Sequence, residues 1–173
     1  MRGNKKYTNA TFTKRVDHEA GRHRPSRAIS EPAFCGECGA VYADQRWTAS
    51  DTTPSAKKHK HWRPAQMTVC PACKQQSTGE PRGFVFLDGD FYAAHPEEAE
   101  NLLRNEAERA AEDNPLGRIL EWKRGDRHKL TVTTTTEHLA QRLGHALEKA
   151  FDGTVDYDFS HENKLARVTW HRD

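Results

Sequence analysis

Four cysteines, arranged as two Cys-x-x-Cys pairs, are the side chains of this sequence best suited to chemistry. Cys35 and Cys38 form the first pair, and Cys70 and Cys73 form the second. Thiolates at this spacing converge on one tetrahedral ion, and four sulfur ligands are typical of a structural zinc site. The sequence therefore predicts one structural Zn²⁺ held by all four cysteines, with no coordination position left for a substrate or a catalytic water.

Other interpretations of this region stay open from the sequence. A Cys-Pro-Ala-Cys segment also occurs in redox-active pairs at the start of a helix, and four cysteines can form disulfides. Both pairs lie among glycine and proline with no αβ pattern beside them, which favours the metal. His59 and His61 lie between the pairs and could replace a cysteine as ligands, but they fit better as members of a basic loop.

Short strands must position the two pairs, and the sequence predicts a zinc ribbon over residues 34–94. Val41 and Tyr42 predict a strand after the first pair, and Trp47 is expected to cover the metal. An apolar run before an Asp-Gly step predicts a β-hairpin over residues 83–92, packed on the ribbon.

An acidic helix is predicted over residues 95–115. Pro96 suits a first-turn position, and Asn114 followed by Pro115 ends the helical pattern. The apolar positions recur at three and four residues but form a narrow, alanine-rich stripe. We therefore expect this helix to connect its neighbours as a spacer that lies lightly on the body of the protein.

Residues 116–173 are predicted to form a ββαββ unit, which makes the whole chain α+β. Alternating apolar residues around Trp122 and Val132 predict the first two strands, and Thr136 is expected to cap the helix that follows. Two further alternating segments follow Gly153. One sheet face would pack against the helix and the other would be polar. The threonine run at 133–136 is interpreted as strand and cap residues rather than as phosphate ligands.

Charge is distributed unevenly along the 173 residues. Residues 1–75 carry 14 basic and 6 acidic side chains, whereas residues 76–173 carry 13 and 19. Residues 1–33 are predicted to be a basic arm that is disordered when free, and a basic loop surrounds a tryptophan between the cysteine pairs. This mixture is typical of proteins that bind single-stranded or loop RNA. The predicted RNA-binding residues are Arg22, Arg24, Arg27, Lys57, Lys58, Lys60, Trp62 and Arg63.

Two alternatives apply to these basic segments. The arm could be a solubilising tail, because runs of charge are often only solvated. Trp62 could pack into the ribbon core while the lysines beside it face water.

No sequence motif of a common enzyme class is present. The chain has no phosphate-binding loop, no zinc-protease or serine-hydrolase motif and no dinucleotide fingerprint, so we expect a non-enzymatic protein. No apolar run reaches the length that spans a membrane, and no secretory leader opens the chain. These features predict a cytoplasmic monomer with reduced thiols.

Several longer segments resemble a known family. They are EPAFCGECGAVY at 31–42, NLLRNEAERAAEDNPLGRI at 101–119, VTTTTEHLAQRLGHALEKAF at 132–151 and GTVDYDFSHENKLARVTW at 153–170. Together they resemble a prokaryotic zinc-ribbon family related to the export adaptor of the large ribosomal subunit, the protein named for nonsense-mediated decay.

The resemblance covers residue 31 to the carboxyl end and implies the four cysteines as zinc ligands and an association with ribosomes. It does not imply export, because the additional cysteine pairs and the export signals of the adaptor are missing here. The sequence thus predicts a protein that binds ribosomal RNA or the ribosome in assembly, storage or quality control. A protein-interaction adaptor and a DNA-binding transcriptional regulator are the alternatives.

Overall fold

The described part of the chain forms two sheets, and the cysteines lie in and beside the first of them. The computed structural model describes residues 29–49, 66–126, 128–160 and 164–173. The strands of this sheet lie in the order β3-β2-β1-β4, with β4 parallel to β1 and the other pairs antiparallel. Their bounds are β1 Ala33–Cys35, β2 Val41–Ala43, β3 Arg46–Thr48 and β4 Gln66–Thr68, and helix α1 (Pro71–Thr78) follows.

The second sheet has five strands in the order β6-β7-β5-β9-β8 and is mixed, because β5 pairs parallel with β9 and the other pairs are antiparallel. Its strands are β5 Gly83–Asp88, β6 Ile119–Arg124, β7 Lys129–Thr134, β8 Thr154–Ser160 and β9 Leu165–His171. The helices are α2 Asp90–Ala94, α3 Pro96–Asp113 and α4 Glu137–Phe151. The predicted α+β class is confirmed.

The apolar core lies between this sheet and the helices. Val85, Val132 and Val168 are fully buried on the three central strands, and the leucines of α4 pack against them. Thr136 caps α4 as predicted, because its hydroxyl accepts a hydrogen bond of 3.2 Å from the amide of Leu139. The predicted order of two strands, one helix and two strands is confirmed for β6 to β9.

The hairpin predicted over residues 83–92 is wrong. β5 is the central strand of the five-stranded sheet, and residues 90–94 form α2 instead of a returning strand. Gly89 between them has φ +109°, and a Cβ there would lie 2.1 Å from the carbonyl oxygen of Arg172. An apolar run shows that a segment is a strand, but its partners, here β7 and β9, come from distant parts of the chain.

Helix α3 runs from Pro96 to Asp113, within two residues of the predicted range 95–115, but it is not a lightly attached spacer. Ala99 and Leu103 are fully buried in the core. Arg142 of α4 donates hydrogen bonds to Glu106 at 2.6 Å and to Asp113 at 2.9 Å. Arg142 of α4 therefore pairs with two carboxylates of the acidic face of α3, a face that the sequence alone suggested was solvated.

The sheet face opposite α4 was predicted to be polar, yet it carries two aromatic rings. Phe84 and Phe86 alternate along β5 with the buried Val85 and Leu87, and their rings are nearly parallel, with centroids 6.2 Å apart. They lie on this face because β5, which was not part of the predicted unit, is the central strand of the sheet.

Among the described residues, no helix is both long enough and apolar enough to span a membrane.

Candidate metal centre

The first cysteine pair lies on the turn between β1 and β2. Cys35 ends β1, and the amide of Gly39 donates a 2.9 Å hydrogen bond back to its carbonyl oxygen. Gly39 has φ +74°, a conformation that glycine adopts at low cost and other residues rarely adopt. This tight turn leaves Cys38 exposed and Cys35 buried.

The second pair lies at the amino terminus of a helix. Cys70 is the N-cap residue of α1, and its Sγ accepts a hydrogen bond of 3.4 Å from the amide of Cys73. Pro71 occupies the first turn, where its missing amide hydrogen leaves no partner unsatisfied. The sequence shows no strand-to-helix pattern at this pair, and β4 followed by α1 shows that the expectation drawn from it is wrong.

The four sulfurs nevertheless form one cluster. All four Sγ atoms lie within 4.8 Å of one another, with Cys35 and Cys73 at 3.8 Å and Cys38 and Cys70 at 3.7 Å. A tetrahedron with zinc–sulfur bonds of about 2.3 Å has sulfur–sulfur edges of about 3.8 Å. A disulfide would need about 2.05 Å. The donor set and its spacing therefore fit one tetrahedral ion, most naturally zinc, and do not fit two disulfides.

The electrostatics of the sulfurs differ with their surroundings. Burial alone would raise the pKa of the Cys35 thiol, but hydrogen bonds from the backbone amides of Cys70, Cys38 and Glu37 lower it to about 7. Burial raises the pKa of Cys70 and of Cys73. A metal ion would supply the positive charge that lets these two bind as thiolates.

An apolar shell surrounds the sulfurs. Trp47 of β3 is 3 % exposed and belongs to the same buried cluster as Cys35 and Cys70, which agrees with its predicted position over the metal. Leu116, from the segment before β6, enters this cluster as well. The shell therefore combines residues of both halves of the described structure.

Two side chains connect the metal centre to the five-stranded sheet. Arg118 donates a hydrogen bond of 3.5 Å to the Sγ of Cys73. The buried Gln75 of α1 donates one of 2.9 Å to the carbonyl oxygen of Thr135. Arg118 and Gln75 are not among the residues predicted for the site, because neither belongs to a motif and their partners lie 45 and 60 residues away.

The threonine run has structural contacts. The hydroxyl of Thr134 donates a hydrogen bond of 2.8 Å to the carbonyl oxygen of Thr136. The hydroxyl of Thr135 donates one of 2.5 Å to the carbonyl oxygen of Leu116. The interpretation as strand and cap residues is consistent with these bonds.

Within the described ranges, the four cysteines are the one group of three or more cysteine, histidine or acidic residues placed to hold a metal.

All predicted RNA-binding residues lie outside the described part of the chain, and so do His59 and His61. The structure therefore tests neither their positions nor their role. The eight residues are Arg22, Arg24, Arg27, Lys57, Lys58, Lys60, Trp62 and Arg63.

The chain matches no protein-family model, no curated protein and no solved structure. The resemblance to the family of the ribosomal export adaptor thus stays a prediction. The structure itself shows a zinc-ribbon-like cluster of four cysteines within an α+β fold.

Proposed function

We propose that this chain is a non-enzymatic zinc protein in which one structural Zn²⁺ organises a small ribbon-like module. The observation that carries the proposal is the set of four sulfurs within 4.8 Å of one another, at edges that match a tetrahedral zinc site. Four protein ligands fill the coordination sphere, so the metal would stabilise the fold and would not bind a substrate.

Metal analysis of the purified protein tests this part of the proposal. We expect one zinc per chain in the wild type and loss of stoichiometric zinc in Cys38→Ser, which changes the most exposed ligand. Cys38→His is the matched control, because histidine replaces the lost ligand and should retain most of the metal. A folded wild type that contains no zinc and takes up none when zinc is added would contradict the proposal.

The finer function that we propose is binding to ribosomal RNA or to the ribosome by a cytoplasmic monomer. The basic composition of residues 1–75 and the family resemblance support it. RNA affinity depends strongly on neutralised phosphates, and the basic residues around Trp62 would supply both charge and a ring for stacking.

The face of the five-stranded sheet opposite α4 gives further support. Phe84 and Phe86 lie at its centre, and aromatic rings in the middle of a sheet are a common platform for unpaired bases. Asp156 and Asp158 lie on the edge strand β8, so RNA would pass over β5 and β7 rather than over β8. The cross-strand neighbours of the two rings are Thr133 and Arg167 for Phe84, and Thr131 and Thr169 for Phe86.

Sedimentation through a sucrose gradient tests this finer function. Tagged protein should migrate with ribosomal particles at low salt and leave them as salt rises. Neutralising Lys57, Lys58, Lys60 and Arg63 together should weaken the association and flatten its salt dependence. Phe84→Leu with Phe86→Leu should weaken it without changing the salt dependence, because only stacking is lost. Protein that stays at the top of the gradient at low salt would refute the ribosome hypothesis.

A protein-interaction adaptor is the second candidate function, favoured by the outer face of α3. This face exposes a series of carboxylates that would suit a basic partner. Replacing these carboxylates by glutamine would abolish capture of such a partner but leave RNA binding intact. These residues, without Asp113, which pairs with Arg142 of α4, are Glu97, Glu98, Glu108 and Glu112.

A further inference from the structure

Arg118 is the one side chain that joins a metal-binding sulfur to the five-stranded sheet among the described residues. Its guanidinium is partly buried, and one Nη donates to the Sγ of Cys73 at 3.5 Å and to the Oε1 of Gln76 at 3.2 Å. Its Nε donates to the carbonyl oxygen of Pro115 at 3.0 Å. Its backbone amide donates to the hydroxyl of Thr135 at 2.8 Å. Hydrogen bonds to α1 and to the segment before β6 therefore fix the position of the Arg118 side chain.

The charge of the metal centre gives this contact its importance. Four thiolates around one Zn²⁺ carry a net charge of about −2, and such a charge is costly where water has limited access. An arginine that donates to one of the sulfurs offsets part of that charge and stabilises the thiolate form. Lys74 is the cationic side chain of α1, and it is exposed.

We propose that Arg118 is a positioning residue for the metal: through Cys73 it strengthens zinc binding and docks the ribbon-like module on the five-stranded sheet. This inference rests on the proposed zinc site. It assigns to one residue of the segment that leads into β6 a role in a site whose ligands all come from the first module.

Zinc affinity of the full chain tests the inference, measured by competition with a chromophoric chelator. Arg118→Gln should weaken zinc binding about 10-fold, in the range typical of partners that hydrogen-bond to metal ligands. Arg118→Lys should restore part of the loss, because it keeps the charge. Arg167→Gln is the matched control: Arg167 lies on β9, and its ion pair with Asp158 is exposed. Its zinc affinity should equal that of the wild type.

Cobalt substitution gives a readout that a purely structural role would not change. A hydrogen bond to a thiolate lowers the energy of the sulfur electrons, so its loss should move the sulfur-to-cobalt charge-transfer band of Arg118→Gln to longer wavelength. Arg167→Gln should leave the band in place. If Arg118→Gln does not fold, Gln76→Ala removes the neighbouring acceptor of the same guanidinium and should weaken zinc binding two- to threefold.

The outcomes separate this inference from the proposed function. Wild-type protein that binds no metal overturns the zinc site itself. Wild-type protein that binds zinc, with unchanged affinity and an unchanged cobalt spectrum in Arg118→Gln, overturns the role of Arg118 and leaves the zinc site standing. Weakened binding in Arg118→Gln with rescue by Arg118→Lys supports it.

Discussion

Buried cysteines and a buried glutamate in the described part of the chain are matched by specific hydrogen-bond partners. Cys70 is fully buried, yet its amide donates to the Sγ of Cys35 at 3.2 Å, and its own Sγ accepts from Cys73. Glu100 of α3, 3 % exposed, is the clearest second case. Burying a charge is costly unless it is paired and hydrogen-bonded, so such partners decide whether the residue stabilises the fold.

Glu100 has four hydrogen bonds that fill both of its carboxylate oxygens. Arg124 donates Nε to Oε1 at 3.0 Å and Nη2 to Oε2 at 2.7 Å. Tyr92 donates to Oε1 at 3.2 Å, and Arg104 donates to Oε2 at 2.9 Å. Hydrogen bonds from Arg124, and then those from the other partners, hold the pKa of Glu100 below its ordinary value of 4.5, although burial alone would raise it.

We expect Glu100→Gln to lower the free energy of unfolding at pH 7 by about 2 kcal/mol, since charged hydrogen bonds to the arginines are lost. The folded pKa is lower than the unfolded one, so the contribution is present above about pH 4.5 and disappears as the pH falls through the folded value. Urea unfolding of both proteins at pH 7 and pH 3 measures this. The difference between them should shrink at pH 3, and any loss of zinc in acid affects both alike.

Glu108→Gln, an exposed position on the same helix, is the control and should leave the unfolding free energy nearly unchanged. An equal effect of the two substitutions would show that the carboxylate of Glu100 has no special role.

The helices and strands are joined by close packing of α4 on the sheet. Leu139, Leu143 and Leu147 recur at one-turn spacing and are fully or almost fully buried. Gly144 lies beside them, where a Cβ would come within 2.3 Å of Cγ1 of Val168 on β9. The glycine lowers helix propensity but permits the helix to approach the sheet closely.

Gly144→Ala should therefore destabilise the protein by about 2 kcal/mol, because the clash with a stiff, buried valine exceeds the gain of about 1 kcal/mol in helix propensity. Adding Val168→Ala removes the clashing Cγ1, so the double variant should be less destabilised than the sum of the single ones. Thermal and urea unfolding of all four proteins gives the coupling. Strict additivity would show that the helix avoids the clash by shifting.

The molecule as described consists of a small metal-centred module and a larger sheet-and-helix module with its own core. The first module has few apolar side chains in its cluster, so we expect it to depend on the proposed metal for much of its stability. The second module buries residues from three strands and three helices, and partly buried residues of β6 and β8 pack against them. Leu116, Arg118 and Gln75 connect the two.

Removing the metal should therefore affect the two modules differently. After chelation, amide exchange in β1 and β2 should accelerate at least 10-fold, while β5, β7 and β9 should keep their protection, because their hydrogen bonds depend on the apolar core. Hydrogen-exchange mass spectrometry measures both regions in one experiment. Cys38→Ser without chelator should reproduce the pattern, and equal acceleration in both modules would refute the independence of the larger one.

Much of the local structure could be predicted because its signals lie within a few residues. The spacing of Cys35 and Cys38 places two sulfurs on one turn, Thr136 supplies a cap two turns before the buried Leu143, and Asn114 followed by Pro115 ends α3. The candidate metal ligands and, to within two residues, the ends of α3 belong to this group.

Pairing between distant segments could not be predicted in this way. β5 could have paired with the residues after Gly89, but its full set of apolar and hydrogen-bonding partners is on β7 and β9. The acidic face of α3 gave no sign of Arg142, which lies on another helix. Such choices depend on the total area that the chain buries and on loop closure, and neither is a property of a short segment.

The metal centre combines both kinds of information. Residue types and spacing alone determined which atoms bind the ion, because thiolate chemistry and the geometry of a Cys-x-x-Cys turn are local. The sequence also predicted that all four cysteines hold one ion, with disulfides and a redox pair left open, and the tertiary structure brings the four sulfurs into one cluster. Only the tertiary structure decided that α1 begins at the second pair and that Arg118 reaches Cys73 across 45 residues. Those contacts exist because folding of the five-stranded sheet places the segment before β6 against the sulfurs.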